Sequence, residues 1–480
     1  MNLYCLIRRI PSKVCNFHLF LILFLFARIG SILNFPFKKS NNHLKQQRVL
    51  LLSFGGFRHD FIDNYNLVHM SRFRSESSRA ACLNPQFTTQ SYPNHWSIIT
   101  GAYVENHGII ANKFYDPFYH EMFAHNKHDP KWWNESEPIW LTASKQGVKT
   151  FVHSWPGSEA SLYEQDSYSR ATFSESLNFM LKVNLTLKYF LQDRYKFVSL
   201  YHNQPDAIAH KYGLNSPEFN VTLQQLDENF GEMIDLFKQN GLYESNDFNI
   251  IVLSDHGITN IKKNVFINEY ISEQDAVIWS FSRTLIHLKP IIELDLLLLK
   301  LSKIPDITVT LKEDMPDRLH YKNHYRIGEI IISAIEGVGF IFVGNDPIHF
   351  NGRKAHLSYE IKKKLMLAAS DKATHGYDNV YPDMRGIFMG MGSMFKKNFQ
   401  SEKCLENVDI YPLLCNILAI ECEPRDGHFE RSKIFLKYEH RLVSQANRQI
   451  IENRANNFRQ MLSLENFIFC YFFVWLSILM

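Results

Sequence analysis

The sequence predicts an α/β fold with a mostly parallel central sheet flanked by helices on both faces. Three observations predict it. Short apolar runs recur along the chain, a segment of helical period separates two of them, and polar clusters begin where the runs end. Ligands of such sheets bind beyond the carboxyl ends of the strands, so the position of the polar clusters bears on function as well as on fold.

The first strand is Val49-Leu-Leu-Leu-Ser-Phe54, an apolar run of the length a buried strand takes. Pro93 suits the first turn of a helix and places Ser91, in Thr88-Thr-Gln-Ser-Tyr-Pro-Asn-His-Trp-Ser-Ile-Ile-Thr-Gly101, at or just before the helix N-terminus. A hydroxyl there caps the helix or, where the free N–H groups draw an anion, attacks it. Thr150-Phe-Val-His153 and Phe197-Val-Ser-Leu-Tyr201 are the next strands. Asp206 and His210 follow, four residues apart, so one helical turn brings both to one face, a spacing that suits Zn²⁺. Leu223, Leu226, Phe230, Met233, Ile234 and Phe237 keep helical spacing up to Asn240-Gly241, a C-terminal stop.

The strand from Asn249 to Leu253 runs into Asp255-His256-Gly257. Charge at the end of a buried strand is costly unless a solvated turn or a metal ion compensates it. Leu296-Leu-Leu-Leu299 predicts a core helix, Thr374-His-Gly-Tyr-Asp-Asn379 places His375 before a glycine that permits close backbone approach, and Gly386-Ile-Phe-Met389 predicts the last strand. Taken together, Asp206, His210, Asp255, His256 and His375 offer five ligands at strand ends, the donor set of a two-metal site, with Ser91 as its candidate nucleophile.

Composition narrows the function classes. A net charge of +3 over 480 residues, with no basic stripe interleaved with aromatics, gives no support to a nucleic-acid partner. Arg8, Arg9 and Lys13 precede the apolar core Leu19 to Ala27, so residues 1–31 read as a signal peptide or an uncleaved signal anchor. Residues 462–480 end in an apolar run, Phe467 to Met480, short of the roughly 20 residues that span a bilayer comfortably. With the polar connector 433–461 before it, this tail reads as a membrane anchor or a lipid-anchor signal. Acceptor motifs for N-glycosylation at Asn134, Asn184 and Asn220 fit a secretory route. Cys82, Cys404, Cys415 and Cys422 lie outside the terminal segments, an even count that permits disulfides, and Cys415 with Cys422 is the expected small-loop pair.

The motifs named above, with Glu105-Asn-His-Gly-Ile-Ile-Ala-Asn112 and Trp155-Pro-Gly-Ser-Glu159, resemble the signature series of the nucleotide pyrophosphatase/phosphodiesterase family of the alkaline phosphatase superfamily. The resemblance covers a catalytic domain of residues 46–432 and implies an alkaline-phosphatase-like fold with two zinc ions. It implies that Asp206, His210 and His375 hold the first zinc, that Asp255 and His256 hold the second, and that Ser91, usually threonine in the family, is the nucleophile. Asn112 matches the asparagine that steadies a phosphate oxygen, and Tyr92 and Tyr163 match aromatic positions of the substrate pocket. The implied substrate is a small phosphodiester, a nucleotide or a choline-phosphate-type headgroup, hydrolysed through a covalent Ser91 intermediate outside the cell.

One departure weighs on this expectation. The family reads Ser-Phe-Asp-Gly-Phe-Arg where this chain reads Ser53-Phe-Gly-Gly-Phe-Arg58, so Gly55 stands at the position of a carboxylate ligand of the second zinc. Asp60 is no substitute, since family members carry an aspartate there as well, and the second zinc is expected to bind more weakly. Gln90 for a usual lysine and Ala209 for a usual glycine are milder changes. The alternative function is a catalytically impaired ectodomain that binds a ligand or partner, and Gly55 is its whole case.

Overall fold

The computed structural model describes residues 47–437 apart from 161, 163–167, 172–177, 344–347, 351–352 and 356–357. The expected signal segment 1–31, the tail 462–480 and Tyr163 lie outside the described residues.

Eight strands form the main sheet: β1 Arg48–Phe54, β2 Ser78–Arg79, β3 Thr150–His153, β4 Ser169–Ala171, β5 Phe197–His202, β6 Phe248–Ser254, β7 Phe388–Gly392 and β8 Phe399–Gln400. Their order is β8-β2-β7-β6-β1-β5-β3-β4. β6, β1, β5, β3 and β4 run parallel and only β7 is reversed, pairing antiparallel with β6 and β2. The expected last strand is therefore shifted: it begins at Phe388 rather than Gly386 and runs against its neighbour.

Side-chain alternation along the strands builds one core on each face of the sheet. Val49, Leu51, Ile251, Leu253, Phe197 and Tyr201 face one way. There they meet α1 (Ser91–Thr100) and the later helix Ile410–Leu418. Leu50, Leu52, Val198, Leu200, Ile250 and Val252 face the other. There they meet α2 (Phe179–Leu191) and α4 (Pro217–Gln239), with the short α3 (Asp206–Tyr212) between those two helices in the chain. The predicted helical stripe from Leu223 to Phe237 is the buried face of α4, which opens on the Ser216 cap and Pro217 and stops at Asn240.

A second, antiparallel sheet of four strands, in the order 276–281, 285–290, 330–334, 307–311, carries a third core and was not read from the sequence. The helix Leu294–Leu301 covers it with Leu297 and Leu301. The run Leu296 to Leu299 packs as the expected core helix on one face, while Leu296 and Leu299 are exposed, so the helix is amphipathic. Cys415 pairs with Cys422 as expected, and Cys82 pairs with Cys404. Packing continues to Phe435 and Leu436, both buried, a few residues into the segment read as connector. Among the described residues no helix is long and apolar enough to cross a membrane.

Candidate active site

β1, β5 and β6 lie side by side, and their carboxyl ends deliver Gly55, Asp206 and Asp255 to one place. His375 arrives differently. It follows Ala373–Thr374, which pairs with Thr259–Asn260 in a two-residue ladder outside the main sheet, so the expectation that all five residues sit at its strand ends holds for four. The Lys372 amide donates to the His210 carbonyl at 2.7 Å, docking this segment on α3.

Ser91 is the first residue of α1 and Gln90 its N-cap. The Asn112 side-chain oxygen accepts the Tyr92 amide at 2.9 Å, which leaves the Asn112 NH₂ group for another acceptor. Ser91 Oγ lies 3.1 Å from His256 Nε2. The other nitrogen of that ring, Nδ1, donates to the Gly257 carbonyl at 2.9 Å, so in the neutral ring Nε2 accepts and the serine hydroxyl donates. His375 is oriented in the same way, its Nδ1 donating to the Thr89 carbonyl at 2.8 Å. Gly257 is required here because a Cβ would lie 2.2 Å from the Asp383 carbonyl oxygen.

The five predicted residues are contiguous. One ligand atom each of Asp206, His256 and His375 lie within 4.8 Å of one another. His210 Nε2 is 3.5 Å from Asp206 Oδ2, and Asp255 Oδ2 is 3.2 Å from His256 Nε2. Asp255 Oδ1 accepts the amides of Gly56 and His256, both at 3.0 Å. Asp255 Oδ2 and Asp206 Oδ1 are buried without a hydrogen-bond donor among the described residues. Buried carboxylate oxygens are costly unless a donor or a cation meets them, and imidazole Nε2 atoms turned to the same point complete a nitrogen and oxygen donor set. The residues present fit a divalent metal.

The electrostatics agree. Burial would raise Asp206, but His210 and His375 outweigh it and hold its carboxyl well below the usual range. Burial, then His256, pushes His375 down to about 3, so it stands as neutral imidazole. For His210 burial acts downward and is outweighed by the Asp206 and Asp371 carboxylates, which hold it up to about 10. That is charge a bound cation would replace.

Sequence reasoning missed three neighbours of the cluster. His95, one turn after Ser91 on α1, is fully buried, with Nε2 3.0 Å from Ser53 Oγ and Nδ1 3.3 Å from Asp255 Oδ2. Asp371 lies beside His210. Tyr201 stands at the end of β5, where burial, with Asp255 and Asp206 nearby, pushes its phenol well above the usual range and keeps it a neutral hydroxyl. The helical periodicity of α1 marks His95 as inward-facing, whereas nothing local marks the other two. Asp60 is engaged elsewhere, in a two-point pair with Arg58 at 2.6 and 2.9 Å.

A cavity of about 620 Å³ beside Asn220 is lined by Arg58, Lys262 and Asp383 and touches none of these residues. A second cavity, of about 500 Å³ and within the range of small-molecule sites, does reach them. It is lined by Ser91, Asp206 and His210, by the aromatic residues Tyr92, Trp133, Trp155 and Tyr201, and by His125, Asn126, His128 and Glu159. Glu159 is held by His128 Nε2 at 3.0 Å.

Comparison with known proteins agrees with this geometry. The type I phosphodiesterase / nucleotide pyrophosphatase family matches residues 49–378. The Bos taurus bis(5'-adenosyl)-triphosphatase ENPP4 is 33% identical over 404 residues, covering 81% of this chain and 82% of the relative. Human ectonucleotide pyrophosphatase/phosphodiesterase family member 5 is 31% identical over 396 residues, covering 80% and 77%. The solved structure of murine ectonucleotide pyrophosphatase/phosphodiesterase 5 superposes with a TM-score of 0.72 at 28% identity, covering 82% of this chain and all of that one, and the same protein in an inactive form has been solved with AMP. The chain therefore belongs to the type I phosphodiesterase / nucleotide pyrophosphatase family, a family of phosphoric diester hydrolases with this α/β fold.

Proposed function

We propose that the chain is an extracellular, zinc-dependent phosphodiesterase that hydrolyses nucleotide diesters through a covalent Ser91 intermediate. The observation that carries the reading is the contact of Ser91 Oγ with His256 at 3.1 Å, beside Asp206 and His375, whose ligand atoms lie within 4.8 Å of one another and of a His256 nitrogen. Asp206, His210 and His375 would hold one zinc ion and Asp255 and His256 the other. Bound there, zinc supplies Lewis acidity that lowers the serine pKa and neutralises charge on the phosphate oxygens.

The chain's own residues do the rest. Ser91 Oγ bonds to phosphorus as the ester oxygen of the first product leaves, and water then cleaves the Ser91–phosphorus bond, releasing the monoester and restoring the hydroxyl. The Asn112 NH₂ group, positioned by the bond its oxygen accepts from the Tyr92 amide, donates to a phosphate oxygen. Tyr92 and Trp155 form walls against which a base stacks.

Aromatic walls suit either a base or a quaternary ammonium, and the nucleotide is preferred on the acidic residues of the cavity and on the relatives. Among the described residues the cavity's carboxylates are Asp206, in the metal cluster, and Glu159, paired with His128, which leaves no acidic ring for a quaternary ammonium. The names of the relatives, a bis(5'-adenosyl)-triphosphatase and an enzyme solved with AMP, support the same class. Exposure of Asn134, Asn184 and Asn220, with two disulfides, supports a secretory route in which residues 1–31 direct export and 462–480 tether the catalytic domain.

The test is zinc-supplemented hydrolysis of a p-nitrophenyl phosphodiester by the native chain, Ser91→Ala and Gly55→Asp. Turnover by the native chain, lost in Ser91→Ala, is the expected result. Turnover by Gly55→Asp alone would make the native chain a binding protein on a disabled catalytic frame.

A further inference from the structure

Three consecutive residues of one turn in the second sheet reach the site from outside the main sheet. The turn joins strands 276–281 and 285–290, whose last pair is Phe281 with Ile286. Ser282 closes it: its amide donates to the Leu285 carbonyl at 2.8 Å, and its Oγ accepts the amides of Thr284 and Leu285 at 3.3 and 3.0 Å. Neighbouring segments pin the turn, since the Thr284 carbonyl accepts the Ala334 amide at 2.9 Å and the Arg283 carbonyl accepts the Phe340 amide at 2.7 Å. A turn held in this way is a rigid support for whatever its side chains touch.

Each of the three side chains meets a different part of the site. Ser282 Oγ accepts from Gln90 Nε2 at 3.3 Å. Gln90 is the buried N-cap residue of α1, and its Oε1 accepts the Asn112 amide at 2.7 Å, so this chain of bonds ends at Asn112. Arg283 Nε lies 3.8 Å from Asp371 Oδ2, the carboxylate beside His210, while its guanidinium also donates to Asn264 Oδ1 at 2.6 Å and to the Phe340 carbonyl. Thr284 is fully buried, and its Oγ1 donates to the His375 carbonyl at 3.1 Å, where Thr374 Oγ1, at 3.4 Å, is a more distant second donor. Gly376 permits that approach: its φ is +99°, and a Cβ there would run into Thr284 Oγ1.

The main sheet aligns Asp206 and Asp255 through β5 and β6, but Ser91 enters on α1 and His375 on a two-residue ladder outside that sheet. These two need a common frame. Thr89 ties the ring of His375 to the α1 end directly, and the turn ties its backbone. We propose that Ser282-Arg283-Thr284 is a positioning element of the site, which holds the nucleophile end of α1 and the ligands His375 and His210 in register. This rests on the two-metal reading above. None of the three lines the 500 Å³ cavity, so they act through Gln90, Asp371 and His375.

The experiment measures zinc by equilibrium dialysis, and AMP by calorimetry on the zinc-loaded chain, for the native protein, Thr284→Val, Thr284→Ser and Ser282→Ala. Both are binding measurements, so they read the site whether or not Gly55 impairs turnover. Thr284→Val removes the hydroxyl with little change of shape. It should weaken the tighter zinc, the one expected at Asp206, His210 and His375, by about two- to tenfold, the scale of one hydrogen bond. Thr284→Ser keeps the hydroxyl and should bind zinc as the native chain does. Ser282→Ala should leave zinc unchanged and weaken AMP by about two- to tenfold, through Gln90 and Asn112. Zinc held equally by the native chain and Thr284→Val overturns the proposal. So does AMP held equally by the native chain and Ser282→Ala, and so does loss of both ligands in both variants alike, the mark of a turn that only supports the fold. Zinc without AMP in the native chain overturns the nucleotide reading and leaves the turn to be judged by Thr284→Val against Thr284→Ser. No zinc at all overturns the two-metal reading and this inference with it.

Discussion

Asp371 and Asp206 hold the ring of His210 from opposite sides: Asp371 Oδ2 lies 3.6 Å from Nδ1, and Asp206 Oδ2 lies 3.5 Å from Nε2. A carboxylate behind a metal-facing imidazole fixes its tautomer and raises its basicity. Asp371 is itself steadied by Arg283, whose Nε is 3.8 Å away. Asp371→Asn keeps the size of the side chain and removes its charge. It is expected to weaken zinc binding at the His210 site by about 10–100-fold, with a matching loss of activity at limiting zinc. Zinc titration of activity checks this, and an unchanged half-saturation point would leave Asp371 without a role in orienting His210.

Why His210 was legible in the sequence and Asp371 was not follows from distance along the chain. Asp206 and His210 are one helical turn apart, and Asp255 and His256 terminate an apolar run, so local periodicity places each pair. Asp371 and Tyr201 act across the fold. Asp371 reaches its partner through the Lys372 to His210 backbone bond, and Tyr201 through the β1 to β5 register. An apolar run shows that a strand is buried without showing which of its residues faces a ligand. The second sheet carries a local signal, since Ile307–Leu311 alternates apolar and polar residues, but a five-residue alternation does not show which strands pair with it.

The cavity wall depends on a buried ion pair. Arg326 is fully buried, its Nε donates to Asp116 at 2.7 Å, and its guanidinium lies 5.6 Å from the Trp132 ring, next to the cavity residue Trp133. Arg326→Met leaves Asp116 charged and buried and is expected to cost about 3–5 kcal/mol. Urea denaturation measures it, and a loss under about 1 kcal/mol would show that the remaining donors of Asp116, the amides of Phe118 and Tyr119 and the Tyr325 hydroxyl, suffice.

The two disulfides are unequal constraints. Cys82–Cys404 spans a sequence separation of 322 and Cys415–Cys422 one of 7. Chain entropy alone ranks them at about 5–6 and about 2–3 kcal/mol. Serine replacement of Cys82 with Cys404 is therefore expected to lower the urea midpoint more than replacement of Cys415 with Cys422. The reverse order would show that the parallel pairing of Leu83–Asn84 with Leu405–Glu406 already closes the long loop without the bond.

Lys182 gives the fold a pH dependence of predictable sign. It is buried in α2, donates to the Tyr201 carbonyl at 3.1 Å, and burial lowers its pKa to about 8. The nearby His153 and His202 are lowered to about 4 and about 3, by burial first and Lys182 second, so both are neutral throughout the alkaline range. An unfolded lysine titrates near 10.4, so between pH 8 and about 10.4 the unfolded chain binds more protons than the folded one. Lys182's contribution to stability is therefore full above about pH 10.4 and is lost as the pH falls to about 8. The difference in unfolding free energy between the native chain and Lys182→Met should close in favour of the native chain from pH 8 to pH 10. A difference independent of pH over that span would mean that Lys182 is as well solvated in the folded chain as in the unfolded one.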